Sequence, residues 1–208
     1  MIVASSNKRG FMQSCLPSLI RATWRGRAVQ SILLSAVALS GSANAGEALL
    51  RNLNSAYVQA GAGDDVASAT IGVTWDLPWR LENDWGLWEG YLDFSLGRWR
   101  ISRSAAWSGR HEVTQVGITP VIRLRPRGWS HFFFEAGIGA NWIFPIYGNG
   151  SRRFSTAFNF GDHLALGWQF GAALEQEVTL RLQHFSNAGI KHPNPGENFV
   201  QLRYAYRF

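Results

Sequence analysis

Cysteine is nearly absent from the chain, which contains one, Cys15, in 208 residues. Cys15 lies in an N-terminal region that we expect to be removed on export, so the mature chain would contain none. Such a chain has no disulfide framework, and a small secreted domain held together by disulfides is therefore excluded.

Metal-ligand spacing is lacking as well. His111, His131 and His163 are scattered singly along the chain and form no pattern that holds a metal ion. His192 precedes a proline in a polar loop, where a histidine is typical of solvated surface. The spacing of the histidines therefore predicts no metal site.

Long apolar runs and N-terminal acids are also missing. No stretch approaches the ~20 apolar residues of a membrane-spanning helix. Residues 1–45 carry five basic residues and no acidic one, with a short apolar run at 32–39 and then Ala43-Asn44-Ala45. This order is typical of a secretory signal peptide. We predict cleavage after Ala45, which leaves a mature domain of residues 46–208, and the long basic region makes either Met1 or Met12 the translation start.

The positive charge of the chain belongs largely to this leader. The whole chain has 20 basic and 14 acidic residues. Once the five basic residues of the leader are removed, 15 basic residues face 14 acidic ones. A net charge near +1 argues against a nucleic-acid partner, despite the basic isoelectric point.

What the mature chain has is an apolar residue at every second position. Leu180 and Leu182, for example, alternate with Thr179 and Arg181. A period of two is typical of strands, and it recurs often enough to predict eight strands of about 10 to 15 residues. The first of them is expected around residues 56–62.

Strands of this length, with one apolar and one polar face, are typical of transmembrane β-barrels, whereas soluble sandwiches have strands of about 5–6 residues. We therefore predict an all-β fold, an eight-stranded antiparallel transmembrane barrel of the bacterial outer membrane, with a soluble sandwich as the alternative.

Side chains fill such a barrel, so we expect no open pore. The charged residues expected to pair inside it are Asp76, Glu89, Asp93, Arg123, Glu135 and Arg181. The tryptophans that fit aromatic girdles at the membrane surfaces are Trp79, Trp85, Trp88, Trp99, Trp129 and Trp142.

The lengths of the connections predict the orientation of the barrel. Short turns of such barrels face the periplasm, and long loops face outside. The short connections lie near residues 78–84, 126–130 and 173–176, and the longer ones near 101–110, 145–157 and 187–198. The seventh strand therefore runs outward and ends near His184 and Ser186.

His184 and Ser186 share one face of that strand, about 6.6 Å apart along it. Both continue the lipid-facing series of Leu180 and Leu182. Polar residues are costly against hydrocarbon, so the pair is either a base beside a nucleophile or a solvated pair among the head groups. In the first case the histidine takes the proton of the serine, and a third group orients the histidine.

Nearby residues are candidates for the remaining catalytic roles. Glu197 is the only carboxylate after Glu177 and is the candidate for orienting His184. Turning backbone amides after Ser186 and one side-chain amide can support a developing oxyanion. These oxyanion and supporting residues are Asn187, Ala188, Gly189 and Asn194. For an ester hydrolase facing the outer leaflet, the abundant local substrate is lipopolysaccharide.

The C-terminal strand-loop region, residues 177–208, resembles the PagL family of outer-membrane lipid A 3-O-deacylases. The resemblance rests on the run from His184 to Gly189, the loop Lys191-x-Pro193-Asn194-x-Gly196, Glu197 and the closing aromatic strand. It implies a serine esterase with His184 as base, Ser186 as nucleophile and Glu197 orienting the histidine. It further implies that the 3-linked hydroxyacyl chain of lipid A is released without a cofactor. In this chain Glu197 follows Gly196 directly, whereas some relatives have one more residue between them.

Two other functions stay open at this point. One is a different lipid-modifying barrel, a phospholipase or acyltransferase with the same residues, and the other is a non-enzymatic barrel. The expected partner is lipopolysaccharide in the outer leaflet, and a homodimer is left open. The cationic residues toward the outer end either bind the phosphates of lipid A or form a solvated rim; they are Arg98, Arg100, Arg103, Arg110, Arg152, Arg153 and Lys191.

Overall fold

The computed structural model describes residues 52–102, 104–150 and 152–208. The predicted signal peptide, its cleavage after Ala45 and Arg103 lie outside the described residues. The strands of the described part are β1 (Leu53–Gly63), β2 (Val66–Asn83), β3 (Gly86–Ile101), β4 (Glu112–Pro126), β5 (Phe132–Phe144), β6 (Gly148–Asn149), β7 (Arg152–Arg153), β8 (Phe158–Phe170), β9 (Gln176–Ser186) and β10 (Glu197–Arg207). Within the same residues, no helix is long and apolar enough to cross a membrane.

The eight long strands form one closed antiparallel barrel. They pair in the order β1-β10-β9-β8-β5-β4-β3-β2, and β1 closes the ring against both β10 and β2. The predicted eight-stranded barrel is thereby confirmed. The turn predicted at 78–84 is shorter than expected, because β2 continues to Asn83 and β3 begins at Gly86. Pro78 falls within an irregularity of the pairing between Asp76 and Arg80, a position at which a strand tolerates proline.

The alternation of side chains places apolar residues on the outer wall. Leu164 and Leu182, for instance, are 66% and 59% exposed, whereas Arg181 is buried inside. The outer wall is the surface that contacts lipid. Trp99 departs from the prediction of a girdle position. It lies at an inward-facing position of β3 and is 1% exposed, so it belongs to the interior.

Charged side chains fill the middle of the barrel. Most of the predicted interior residues do pair with one another or with a neighbour, and each partner offsets the cost of taking a charge out of water. The buried ion pairs join Arg123 to Glu135 and Glu177, and Asp93 to Arg181 and Arg203, over 2.6–3.3 Å. A cavity of about 20 Å³ is left beside Asp93 and Arg203, so this part of the interior is filled.

Aromatic side chains fill the outer end of the interior. Tyr147 and Phe154 come from the loop between β5 and β8 and pack in a cluster with Trp99. Phe185 of β9 and Phe199 of β10 complete it, with ring centroids 4.9 and 4.8 Å from that of Trp99. These inward anchors fix the ends of β9 and β10, and hence the residues beside them on the outer wall.

Candidate active site

The outer wall carries a row of three polar residues near the outer end of adjacent strands. His184 of β9 lies directly opposite Asn198 of β10 on one side and Asp162 of β8 on the other. Side chains directly opposite each other on one face of a sheet have Cβ atoms about 4.5–5.5 Å apart. His184 is therefore flanked by an amide and a carboxylate.

Asn198 fixes the protonation pattern of the histidine ring. Its Oδ1 lies 2.7 Å from Nδ1 of His184. A side-chain carbonyl oxygen only accepts hydrogen bonds, so Nδ1 carries the proton. In the neutral form of such a ring, the other nitrogen, Nε2, holds the lone pair. Asn198 thus selects the tautomer in which Nε2 can accept a proton.

Glu197 occupies a different place from the one predicted for it. Neighbouring residues of a strand point to opposite faces, so Glu197 faces the interior while Asn198 faces His184. Its carboxylate is fully buried, where it accepts a hydrogen bond from the Tyr147 hydroxyl at 2.7 Å. It also lies 3.5 Å from Arg152. The structure therefore places Asn198, and not Glu197, against the histidine.

The environment of Glu197 is that of a buried anchor for the outer loop. Burial, and then the hydrogen bond to Glu197, raise the pKa of Tyr147 well above its ordinary value. The hydroxyl therefore stays protonated and remains a donor to the carboxylate. Since Tyr147 belongs to the loop between β5 and β8, this contact ties the loop to the start of β10.

Gly196 packs directly against the histidine ring. A Cβ atom built on Gly196 would lie 2.6 Å from Cε1 of His184. The backbone φ of Gly196 is +68°, in the left-handed region that favours glycine. The close approach leaves no room for a side chain, which explains why a glycine precedes Glu197 in the loop.

Ser186 lies on the same outer face as His184, two residues closer to the strand end. Its Oγ accepts a hydrogen bond from the Ala188 amide at 3.5 Å. The hydrogen bonds of these two described residues do not include one between them, and catalytic hydrogen bonds are often long before substrate binds. The structure confirms the shared face that the sequence predicts for the two side chains.

The loop after Ser186 is held by hydrogen bonds that use most of the predicted oxyanion donors. Asn194 Oδ1 accepts from the Asn187 amide at 3.0 Å, and Asn187 Oδ1 accepts from the Gly189 amide at 3.0 Å. Asn187 is buried, and its side-chain amide donates to Ser155, Thr156 and Lys191. Asn187 and Gly189 therefore shape the loop, and the Ala188 amide is the one directed at Ser186.

Sequence reasoning missed Asp162 and Asn198, although the signal was available. Both interrupt the apolar, lipid-facing series of their strands, as His184 and Ser186 do on β9. Glu197 is the candidate that charge and nearness in sequence favour. Which residues lie opposite His184 depends on the pairing register, which the alternation alone does not give.

An apolar groove adjoins the polar row on the outer wall. It has a volume of about 840 Å³ and extends from β5 across β8, β9 and β10 to β1. Leu164, Leu182 and Val200 line it together with His184 and Asn198. The polar row therefore borders an apolar surface on the lipid-facing wall.

Comparison with known proteins gives consistent matches over most of the chain. A family model described as lipid A 3-O-deacylase (PagL) matches residues 67–207. The chain is 36% identical over 152 residues to the lipid A deacylase PagL of Bordetella bronchiseptica, which covers 71% of this chain and 80% of that protein. It is 32% identical over 171 residues to the lipid A deacylase PagL of Pseudomonas aeruginosa, with 76% and 94% covered.

A solved structure agrees with these relatives. The crystal structure of the outer membrane enzyme PagL superposes with a TM-score of 0.62 and 25% sequence identity. The match covers 74% of this chain and 99% of that one. Sequence and fold therefore point to the same set of proteins.

Proposed function

This chain belongs to the lipid A 3-O-deacylase (PagL) family, and from that membership we propose that it hydrolyses the 3-linked hydroxyacyl ester of lipid A through a serine nucleophile. It is a β-barrel of the bacterial outer membrane, and the proposal concerns its chemistry and the residues that perform it. A homodimer, left open by the sequence, is not required by the reaction.

The observation that carries the proposal is the hydrogen bond between His184 and Asn198. It leaves the lone pair of His184 on Nε2, on the lipid-facing wall that also carries Ser186. Acyl chains of the outer leaflet reach this wall without leaving the membrane. The base lines the groove of about 840 Å³, and the nucleophile lies two residues further along the same face of β9.

The reaction proceeds in two steps on this surface. His184 Nε2 takes the proton of Ser186 as Oγ attacks the ester carbonyl carbon. The tetrahedral intermediate expels the 3-oxygen of the sugar, which receives the proton from His184. Water then attacks the acyl-serine, again giving a proton to His184, and the hydroxyacyl chain leaves as a free acid while Ser186 regains its proton.

In many serine hydrolases one carboxylate both orients the histidine and balances its charge. Here two residues that flank His184 take these two roles. Asn198 holds the ring and its tautomer through a neutral amide, as the asparagine of Cys-His-Asn proteases does. It does not compensate the positive charge that His184 acquires. Asp162, opposite His184 in the pairing of β8 with β9, supplies a negative charge from the strand on the other side.

The oxyanion is stabilised by donors that the loop leaves available. The Ala188 amide points toward Ser186, and the side-chain NH₂ of Asn194 is left to donate because its oxygen accepts from Asn187. Preorganised donors of this kind are worth about 2.7–4 kcal/mol each in transition-state stabilisation. Asn187 and Gly189 act by holding the loop.

The test is mass spectrometry of lipid A from bacteria that lack a 3-O-deacylase and express the chain. We expect lipid A to lose one 3-linked hydroxyacyl chain, and the Ser186→Ala variant to leave lipid A intact. Folding of both proteins is checked by the heat-dependent shift of barrel mobility on gels. A gain in acyl mass would instead indicate an acyltransferase, and unchanged lipid A with folded wild-type protein would refute the hydrolysis.

A further inference from the structure

Two exposed arginines face lipid at the outer end of β3. Arg98 and Arg100 continue the outward series of Phe94 and Leu96, and their side chains are 59% and 79% exposed. A cation on the lipid face of a barrel is costly at the membrane midplane and tolerated near the interface. Their place near the strand end puts them at the height of the lipid head groups.

These arginines lie on the opposite wall of the barrel from the active site. Four pairing steps separate β3 from β9 in either direction around the ring of eight strands. A lipid whose ester lies at Ser186 would have to wrap half of the barrel to reach Arg98. The predicted cationic set is thus divided, because Arg152 lines the active-site groove whereas Arg98 and Arg100 do not.

One carboxylate holds the two arginines side by side without neutralising both. Glu112 of β4 accepts from Arg98 at 2.6 Å and from Arg100 at 3.1 Å. Arg98 also donates to the Thr114 hydroxyl at 2.7 Å. Two guanidinium groups and one carboxylate leave an excess positive charge, held in a fixed geometry. Paired guanidinium groups of this kind suit the oxygens of a phosphate.

The wall beside the arginines is shaped for acyl chains. Arg98 and Arg100 lie opposite Ala69 and Ala67 of β2, so only small side chains stand on that side. A groove of about 460 Å³ continues from Arg98 along the wall. Its apolar lining is formed by Val58, Ala69, Ile71 and Leu96. The two arginines and the apolar groove together are complementary to a lipid with a phosphorylated head group.

We propose that Arg98, Arg100 and the adjoining groove bind a second lipid A molecule through its phosphate, separately from the molecule that is hydrolysed. Lipid A is the occupant because it is the phosphorylated glycolipid of the leaflet that this end of the barrel faces. No serine-histidine pair lies on this wall among the described residues, so the bound molecule keeps its acyl chains. The site is therefore a binding site and not a second active site.

The experiment uses the full-length Ser186→Ala protein, purified in detergent, with phosphorylated lipid A added. Native mass spectrometry counts the lipids bound. We expect two bound lipids, and only one after the further change Arg98→Gln/Arg100→Gln, with affinity at the second site at least tenfold lower. Lipid A with its phosphates removed should show the same loss. The matched control is Arg80→Gln, which removes an exposed arginine near the inner end and should retain both lipids.

Several outcomes would overturn the proposal. These are a single bound lipid before the arginines are changed, loss of both lipids in the double variant, equal binding of dephosphorylated lipid A, or equal occupancy by phosphatidylglycerol. A change from dimer to monomer mass without loss of lipid would show that the patch contacts a second copy of the chain. If the double variant fails to fold, Arg100→Gln alone is used, because Arg100 is the more exposed and contacts only Glu112 in the hydrogen bonds described.

Discussion

Nδ1 of His184 and Oδ1 of Asn198 are 2.7 Å apart, and the hydrogen bond between them joins an imidazole to a neutral amide. A carboxylate in the same place would both orient the ring and balance its positive charge. Here orientation comes from β10, and the nearest outward-facing carboxylate across the pairing comes from β8. Orientation of the ring and compensation of its positive charge can therefore be tested by separate mutations.

Substitution of Asn198 tests whether this residue orients the ring of His184. Asn198→Ala should lower the rate of lipid A deacylation about 10- to 100-fold, less than the ~10⁴-fold loss caused by a wrong histidine tautomer. Asn198→Asp should raise the rate up to about fivefold, since an exposed ion pair contributes ~1 kcal/mol at most. Release of hydroxyacyl chains by purified protein is the measurement. If Glu197→Gln reduces the rate more than Asn198→Ala, the assignment of Asn198 fails.

Substitution of Asp162 tests whether its negative charge stabilises the protonated form of His184. Asp162→Asn keeps the shape of the side chain but removes the negative charge opposite His184, so the imidazolium that forms during catalysis is less stabilised. We expect kcat to fall about fivefold, which corresponds to ~1 kcal/mol. Asp84→Asn, in the turn between β2 and β3, is the control for a lost surface charge. Equal rates for Asp162→Asn and the control would exclude an electrostatic role.

The close approach of Gly196 to His184 can be tested by substitution, with Gly189 as the matched control position. Gly196→Ala should lower activity at least about tenfold because its Cβ would displace the histidine ring. Gly189→Ala introduces a comparable backbone strain, since φ is +78° there, but its Cβ meets nothing within 4 Å. Activities are compared after normalising to folded barrel. Similar losses in both variants would mean that strain, and not the displaced ring, is responsible.

Glu197 is expected to matter for stability. Glu197→Gln removes the charge that accepts from the buried Tyr147 and faces Arg152, so the free energy of unfolding should fall by about 1–3 kcal/mol. Urea unfolding in lipid vesicles measures the change. Tyr147→Phe removes the other partner, and the double variant should lose less than the sum of the two. Strictly additive losses would show that the two side chains are not coupled.

The fold was accessible from the sequence because the alternation of apolar residues has one physical cause. Each strand has a lipid side and an interior side, so Leu164, Leu182 and their counterparts report the architecture directly. Trp99 differs from its predicted girdle position because tryptophan is common both at membrane surfaces and in packed interiors. The inward fold of the loop that carries Tyr147 was not predictable from the alternation, since the loop has none.

The active site was predictable only in part, for a related reason. The outward direction of His184 and Ser186 follows from counting residues along one strand. Asn198 and Asp162 become neighbours of His184 only through the pairing of β8, β9 and β10, which depends on how the intervening loops set the register. Counting along β10 turns Glu197 inward, so its position along the strand is a better guide to its contacts than its charge.

Asn198 lies at the start of the last strand and Gly196 directly before it, so both reach His184 only through the pairing of that strand. His184 acquires its tautomer only when β10 is paired with β9, and the groove beside it includes β1, which meets β10 only on ring closure. A chain in transit, with its ends apart, holds the histidine and serine but not their arrangement. In the proposed mechanism, closure of the barrel therefore has to precede catalysis, because it brings together the strands that hold His184 and line the groove.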